Sequence, residues 1–525
     1  MENSEEMVKN KDFCHNKPYI KEEKTCGIRS ENSAELVLPD YMGDVKRLLK
    51  FTARAVPTSK YVAASEASFL GEVCYRVMYL DSEDKLTEAA LSSEYEYDMR
   101  LSEEHTDASL ETEVQSVSVR LVGPRKITAR ASLVHNAHAT RECAKSYDGL
   151  TEEFETRKTD IRMHSATYLS SDERELADEL GRLEGVSADE VSVIKCDLCA
   201  TVKNAVIENG SLELKCEGLL FALLCVDGQP LRLERKIFFD ETLPCDPVVP
   251  EDACVSAEAY CVSSSVNVNN ENSPEGAGCY AAVVMSAIVE CYARLDYNLP
   301  YTVVTDAFLP GAATECEYEE LGFAELVYSH TESKPFLAET SKKEWGVEKL
   351  REVIECEAIA DEVSVESQDG SFSICAQIVF TVIARMHGDD SYLSLRCPLE
   401  YKRTVRADLG GALPQVRLAV FNPKLTHEGD KLFFSCDVTE KVACERESTQ
   451  RAVKRASVSD REGKGGYRVN VLYSAADESL FDVAKKYAVR CSDIAKGNAD
   501  SLGDIDADSY ETPIGEMKRI IVIEK

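Results

Sequence analysis

The chain has 525 residues, of which 94 are acidic and 60 basic, for a formal net charge of −34 at neutral pH. Charge of that sign repels phosphate and excludes nonspecific contact with nucleic acid or anionic membrane, leaving a solvated surface or attraction to a basic partner. The length predicts about three or four domains, and a hydrophobic fraction of 44% is enough for sizeable cores.

Met1 to Lys24 alternates acidic, basic and polar residues and lacks the roughly 7–15-residue apolar stretch of a secretory signal. Residues 1–33 read as an N-terminal tail. No run approaches the ~20 apolar residues of a membrane helix; Tyr280–Ile288 comes nearest. An intracellular protein with no membrane span is expected. Its 20 cysteines are scattered, several in strand-like runs such as Cys216, Cys225, Cys254 and Cys261. They read as buried thiols in a reducing compartment, with later cross-linking in an assembly as the alternative.

One pattern is written three times. Small or apolar anchors recur at Gly71, Cys216 and Ala376, and about 20 residues before each stands a second anchor, Phe51, Cys196 and Cys356. Equal internal spacing at a period of roughly 145–160 residues indicates a repeated domain. The first strand of each repeat alternates: Leu49, Phe51, Ala53, Ala55; then Ile194, Cys196, Leu198, Ala200; then Ile354, Cys356, Ala358, Ala360. The next strand matches as well: Val73, Tyr75, Val77, Tyr79 against Gly218, Leu220, Ala222, Leu224 and Ile378, Phe380, Val382, Ala384. Turns follow at 81–84, Asp227-Gly228 and 387–390, and an aromatic returns at Tyr95, Phe239 and Tyr401.

Later in the units, Val114–Leu121, Ile127–Val134 and Leu432–Val438 alternate, and Tyr280–Leu295 reads as a central strand pair. Many short strands between turns predict a mainly β chain of three antiparallel β-sandwich-like units. Ser171–Leu183, with its Ser-Asp-Glu start and Gly185 beyond, reads as a helix, and Ser341–Val353 as a weaker one. The mixed, polar segments 142–170 and 313–340 read as connectors. The expected division is 34–149 for the first repeat, 150–312 for a connector and the second, and 313–448 for a connector and the third. Residues 449–465, basic and Ser-rich, read as a flexible linker, and 466–525 as a terminal domain.

In the terminal domain an alternating strand leads into a helix with Asp477, Glu478 and Ser479 at its start. Leu480, Val483, Ala484 and Tyr487 form one apolar helical face. A second helix fits Cys491–Lys496 and a closing strand Arg519–Ile523, in the order βααβ. This stretch resembles a LysM module, whose pattern runs Gly-Asp-Thr-Leu-Trp, Ile-Ala, an aromatic, Ile or Leu, and Asn. Asp477-Glu478-Ser479-Leu480-Phe481, Val483-Ala484, Tyr487, Ile494 and Asn498 stand at those places, with Ile514-Gly515 and Ile521 at the tail. Asp477 replaces the loop Gly, Phe481 replaces Trp, and the acidic stretch Asp500–Glu511 is inserted, so a protein-binding module is at least as well matched as a glycan-binding one.

Taken with this tail, the repeats resemble SPOCS domains. The combination is similar to the LysM-tailed coat-encasement proteins of spore-forming bacteria, the SipL type. The strand Val45–Ala53, the strand Gly71–Tyr79 and the terminal position of the LysM-like module carry the likeness. The resemblance implies a protein of the mother-cell cytoplasm at the forespore surface, which helps the spore coat enclose the forespore. Its tail would dock on the basement-layer coat ATPase, of SpoIVA type; itself and other coat proteins are further partners. The other reading is a peptidoglycan-binding LysM protein holding N-acetylglucosamine polymers. For either, Glu478, Ser479, Phe481 and Asn498 are the candidate ligand or partner surface. Phe481 lies off the packed stripe, and Asn498 either caps its loop or touches ligand.

No catalytic, cofactor or metal site is expected. Cys196-Asp197-Leu198-Cys199 is a lone CxxC on a strand, where positions three apart face opposite sides. His135 and His138 share that spacing. Asp504, Asp506 and Asp508 imitate a calcium loop, but Ser509 and Gly515 occupy the places of its Gly and Glu. Lys464-Gly465-Gly466 lacks the rest of a phosphate loop. A non-enzymatic scaffold is the expectation.

Overall fold

The computed structural model describes residues 19–459 and 468–524, apart from 64, 103, 104, 106, 144, 273–278, 369, 389, 390 and 504–508. Strand accounts for 76% and helix for 5%, so the chain is mainly β, with its few helices near the C-terminus.

The same strand order occurs three times. In unit 1, β1 (Tyr19–Val37), β6 (Lys126–Cys143) and β5 (Asp107–Gly123) form one antiparallel sheet in the order β1-β6-β5. The meander β2 (Val45–Ala63), β3 (Glu66–Asp81) and β4 (Leu86–Arg100) forms the other. Unit 2 repeats this with β7 (Glu155–Ser170) and β8 (Arg174–Glu184) in the place of β1. They are followed by the meander β9 (Val191–Glu208), β10 (Ser211–Val226), β11 (Gln229–Pro244), and by β12 (Cys254–Asn272) and β13 (Cys279–Phe308). Unit 3 runs β14 (Ala313–Ser341), then β15 (Leu350–Gln368), β16 (Ser371–Met386), β17 (Tyr392–Val405), then β18 (Gln415–Glu428) and β19 (Lys431–Ser459). In units 2 and 3 a single apolar core joins the two sheets, as in a sandwich.

The repeated anchors have a packing explanation. Gly71, Cys216 and Ala376 sit directly opposite Tyr95, Phe239 and Tyr401 on the neighbouring strand. A small residue leaves room for a buried ring in every unit. A Cβ at Gly71 would lie 2.3 Å from the Tyr95 Cζ and Oη. Gly71→Ala should therefore cost about 1–3 kcal/mol through overpacking. Urea unfolding measures this, and Tyr95→Leu in the same chain should recover part of the loss.

Several segments differ from the sequence expectation. The tail 1–33 contains most of β1, which pairs with β6 from Tyr19 onward. The connectors are strands: β7 and β14 are the outer strands of units 2 and 3, each paired along the last strand of its unit. Ser171–Leu183 is not a helix, because β8 fills the edge of β13 from Tyr280 to Val289 that β7 leaves open. Its Leu176, Leu180 and Leu183 join the core, so long-range pairing overrides local helix propensity. Ser341–Val353 is a turn that enters β15, and Tyr280–Leu295 belongs to one 30-residue strand. The linker is strand up to Ser459, since β19 pairs with β14 from Ser341↔Lys431 to Ala313↔Ser459. Lys464-Gly465-Gly466 lies outside the described residues.

The three units meet at one point, through equivalent positions. Leu49, Ile194 and Ile354 converge there with Met78, Leu223 and Ile383, which are likewise one position taken from each unit. The next position, Lys50, Lys195 and Glu355, is charged and buried, with side chains 4%, 3% and 2% exposed. Glu355 lies 3.2 Å from Lys50 Nζ and 2.5 Å from Lys195 Nζ, and Glu357 is 2.6 Å from each lysine. Arg76 of unit 1 adds a hydrogen bond to the Cys196 carbonyl of unit 2 at 3.1 Å.

Glu88 flanks this group, 3.9 Å from Lys195. Burial raises its carboxyl from 4.5 to about 7, against the pull of Lys195 and Arg76. Between those values the folded chain holds a proton that the unfolded chain has lost. That contribution to stability is complete below pH 4.5 and disappears as pH rises through 7. Glu88→Gln should accordingly be more stable than the parent above pH 7, by on the order of 2 kcal/mol. The difference should vanish towards pH 4.5, as read from denaturation midpoints across pH.

Candidate functional site

The terminal module comprises β20 (Arg468–Tyr473), α1 (Leu480–Tyr487), α2 (Cys491–Gly497), α3 (Ala499–Leu502) and β21 (Arg519–Glu524), with β20 and β21 antiparallel. Ser479 starts α1: its Oγ accepts from Asp482 N at 3.2 Å, while the Asp482 carboxylate accepts from Ser479 N at 3.0 Å. This reciprocal cap satisfies two otherwise free donors. Leu480, Val483, Ala484, Ile494, Ile520 and Val522 make the core.

Asn498 is a bracket. Its amide donates to the carbonyls of Ile494 at 2.8 Å and Ile521 at 2.7 Å, and its oxygen accepts from Ile521 N at 2.7 Å. The two loops beside α1 are joined by backbone bonds from Phe481 N to Tyr510 O and from Ile514 N to Glu478 O, each 3.0 Å. Between them remains a cavity of about 120 Å³ lined by Leu480, Leu502, Ser509, Thr512, Pro513, Ile514 and Lys518.

The four candidate surface residues do not form a free surface. Phe481 is only 2% exposed, which corrects its reading as a surface residue. It packs edge-on against Phe308 of unit 2, with ring centroids 5.2 Å apart, and the Arg157 guanidinium lies 4.7 Å from its ring centre. Arg157 also donates to Ser479 Oγ and to the Asp482 carboxylate, both at 2.7 Å. Ser479 and Asn498 are buried, and the Glu478 carboxylate accepts from Ala475 N at 3.2 Å. Cys491 N donates to Glu155 at 3.0 Å, Lys158 N to Glu511 at 2.9 Å, Gly311 N to Ala488 O at 2.7 Å, and Lys485 pairs with Asp306. The module is thus docked on the end of unit 2 through the helix side that the sequence marks as its ligand side. Arg157 and Phe308 carry that contact, and no local sequence pattern marks either residue.

A second concavity, about 590 Å³, opens between units 2 and 3 along β9, β12 and β14. Three of its charged groups pair within the chain, Lys203 with Asp437 at 3.2 Å and Lys441 with Glu258, and His330 Nε2 lies 3.2 Å from Glu332. Burial raises the Cys254 thiol, the opposite of what activates a nucleophile.

The remaining motifs are structural. Cys196 is half-buried against the unit 2 core while Cys199 is exposed on the same strand. His135 is held between Ser30 Oγ at 2.7 Å and Thr112 Oγ1 at 2.9 Å, and burial lowers its pKa. Asp504, Asp506 and Asp508 lie outside the described residues. Among the described residues no three His, Cys, Asp or Glu side chains are grouped to hold a metal ion, and no helix is long and apolar enough to cross a membrane.

Fold and site define a mainly β protein of three like-ordered antiparallel units joined at a charged centre, carrying a small helix-containing module docked in cis. No family model, curated protein or solved structure matches the chain.

Proposed function

We propose that the chain is a non-enzymatic assembly scaffold of the spore coat, whose LysM-like tail docks on the basement-layer coat ATPase. On this reading the units are SPOCS-like repeats, the protein works in the mother cell at the forespore surface, and it contacts further copies or other coat proteins. The observation that carries the proposal is the joining of three like-ordered units with an appended module of different build. Such an array presents several surfaces on one chain, and weak contacts gain from high effective concentration. The recurring chemistry of the repeats serves packing, as with the small anchors opposite buried rings.

Peptidoglycan binding is the weaker alternative. The gap between the module's loops, about 120 Å³, is below the roughly 300 Å³ of small-molecule sites. A fluorescent fusion imaged in sporulating cells tests the proposal. The full chain should form a shell around the forespore, and a chain ending at residue 459 should remain dispersed. A shell that persists without the module would overturn the docking role, and retention of the full chain on purified peptidoglycan would favour the glycan reading.

A further inference from the structure

Both faces of the β20–β21 ribbon are apolar, and among the described residues only one is covered. Leu472, Ile520 and Val522 turn inward onto the helices. The alternate residues Val469, Val471 and Tyr473 point outward, opposite Ile523, Ile521 and Arg519. Val469, Val471, Tyr473 and Ile523 are each more than half exposed, as is Met517 in the preceding turn. The helix side of the module is covered by Arg157 and Phe308, whereas among the described residues this outer apolar face stays exposed.

Charge and size narrow the occupant. In a chain of net charge −34, the charge on the face itself is the exposed Arg519, with Lys518 and Arg468 exposed at its ends. Among the described residues the nearby acids are Glu516, in the turn, and Glu524, which is held by Asn470 at 2.5 Å. With six residues per strand, the face measures roughly 20 by 10 Å. That is far below the ≈ 800 Å² per partner of a stable folded interface, and it suits a short segment. Symmetric pairing of two copies would also bring two Arg519 side chains to one small patch. Asn498 holds the outer edge of β21 at Ile521, whereas among the described residues no strand pairs with the outer edge of β20, which favours an extended occupant there.

We propose that the outer face of the ribbon docks a short acidic, amphipathic segment of a partner protein. Its apolar side chains lie on Val469, Val471, Tyr473 and Ile523, and a carboxylate meets Arg519. The inference rests on reading the module as a protein-docking element.

A random 12-residue peptide library displayed on phage and selected on the immobilised full chain tests it. Selected peptides should combine Asp or Glu with aliphatic or aromatic residues. The affinity of a selected peptide should fall at least tenfold for Val471→Asp and for Tyr473→Asp, and severalfold for Arg519→Glu. Arg157→Glu should leave it unchanged, and circular dichroism should show all variants folded. The proposal is overturned if no peptide is selected, if selected peptides lack acids, or if they bind the Asp variants equally. A dimer by light scattering that Val471→Asp abolishes would also overturn it, in favour of a second copy. Binding to the basement-layer ATPase separates the two readings. If the ATPase binds parent and Val471→Asp alike, the face is wrong while the docking role stands. If it binds neither, the docking role falls and the peptide result alone judges the face.

Discussion

Glu355→Ala should be the most damaging of the substitutions considered, lowering stability by about 3–5 kcal/mol. Glu355 comes from unit 3, whereas Lys50 comes from unit 1 and Lys195 from unit 2, and all three are buried. Without Glu355, two buried ammonium groups share Glu357, whose side chain is 34% exposed, and only Lys195 also has Glu88 near. Two buried cations then share one close carboxylate, so positive charge at the centre is left undercompensated. Unfolding in urea should show an earlier transition and loss of cooperation among the three units.

Replacing the charges together gives a different expectation. Lys50→Met, Lys195→Met, Glu355→Leu and Glu357→Gln in one chain should be near neutral or stabilising, because two positive and two negative charges leave together, Glu88 keeps Arg76, and the nearby Leu49, Met78, Leu223 and Ile383 accept apolar neighbours. A quadruple variant as unstable as Glu355→Ala would show that the ion cluster itself, rather than its balance, holds the units together.

Arg157→Glu should release the terminal module from unit 2. The substitution removes two charge-assisted hydrogen bonds and the cation above Phe481, and puts a carboxylate beside Asp482. Arg157 and Asp482 are 29% and 39% exposed, so solvent screens part of the attraction. The docked state should still lose about 2 kcal/mol, or a factor of roughly thirty in population. Amide exchange should rise in α1, and the small-angle scattering radius should grow. High salt should act in the same direction on the parent, since screening shortens to about 3 Å at 1 M.

Acid should weaken the same contact. Burial alone would raise the Asp482 carboxyl, but hydrogen bonds from Ser479 and from Arg157 hold it below its ordinary 3.8. The charged form is therefore favoured by folding. Its contribution is complete above pH 3.8 and is lost as pH falls below that value.

Most of the inner strands were legible in the sequence because their signals are local. Period-two alternation marks β2, β3, β9, β10, β15 and β16, and the recurring spacing of small anchor and aromatic places the same strand pair in each unit. The module's cap at Ser479 and its apolar stripe from Leu480 to Tyr487 are likewise written within a few residues. The aligned position Lys50, Lys195 and Glu355 was also present in the repeat, though alternation alone assigns it to a solvent face.

Tertiary structure decided what depends on distant partners. β14 reads as a polar connector because its inward residues are only half-buried, and it is a strand because β19 offers a long unpaired edge. β8 carries helix-like capping and helix-forming residues, yet it becomes a strand where β13 outruns β7. Phe481 looks free in the sequence because it lies off its own helix's stripe; Phe308 and Arg157, far away in the chain, bury it. Local periodicity determines which segments form strands and helices. The burial of charge at the three-way centre and of the module's ligand side depends on which surfaces meet, and no short window of sequence contains that information.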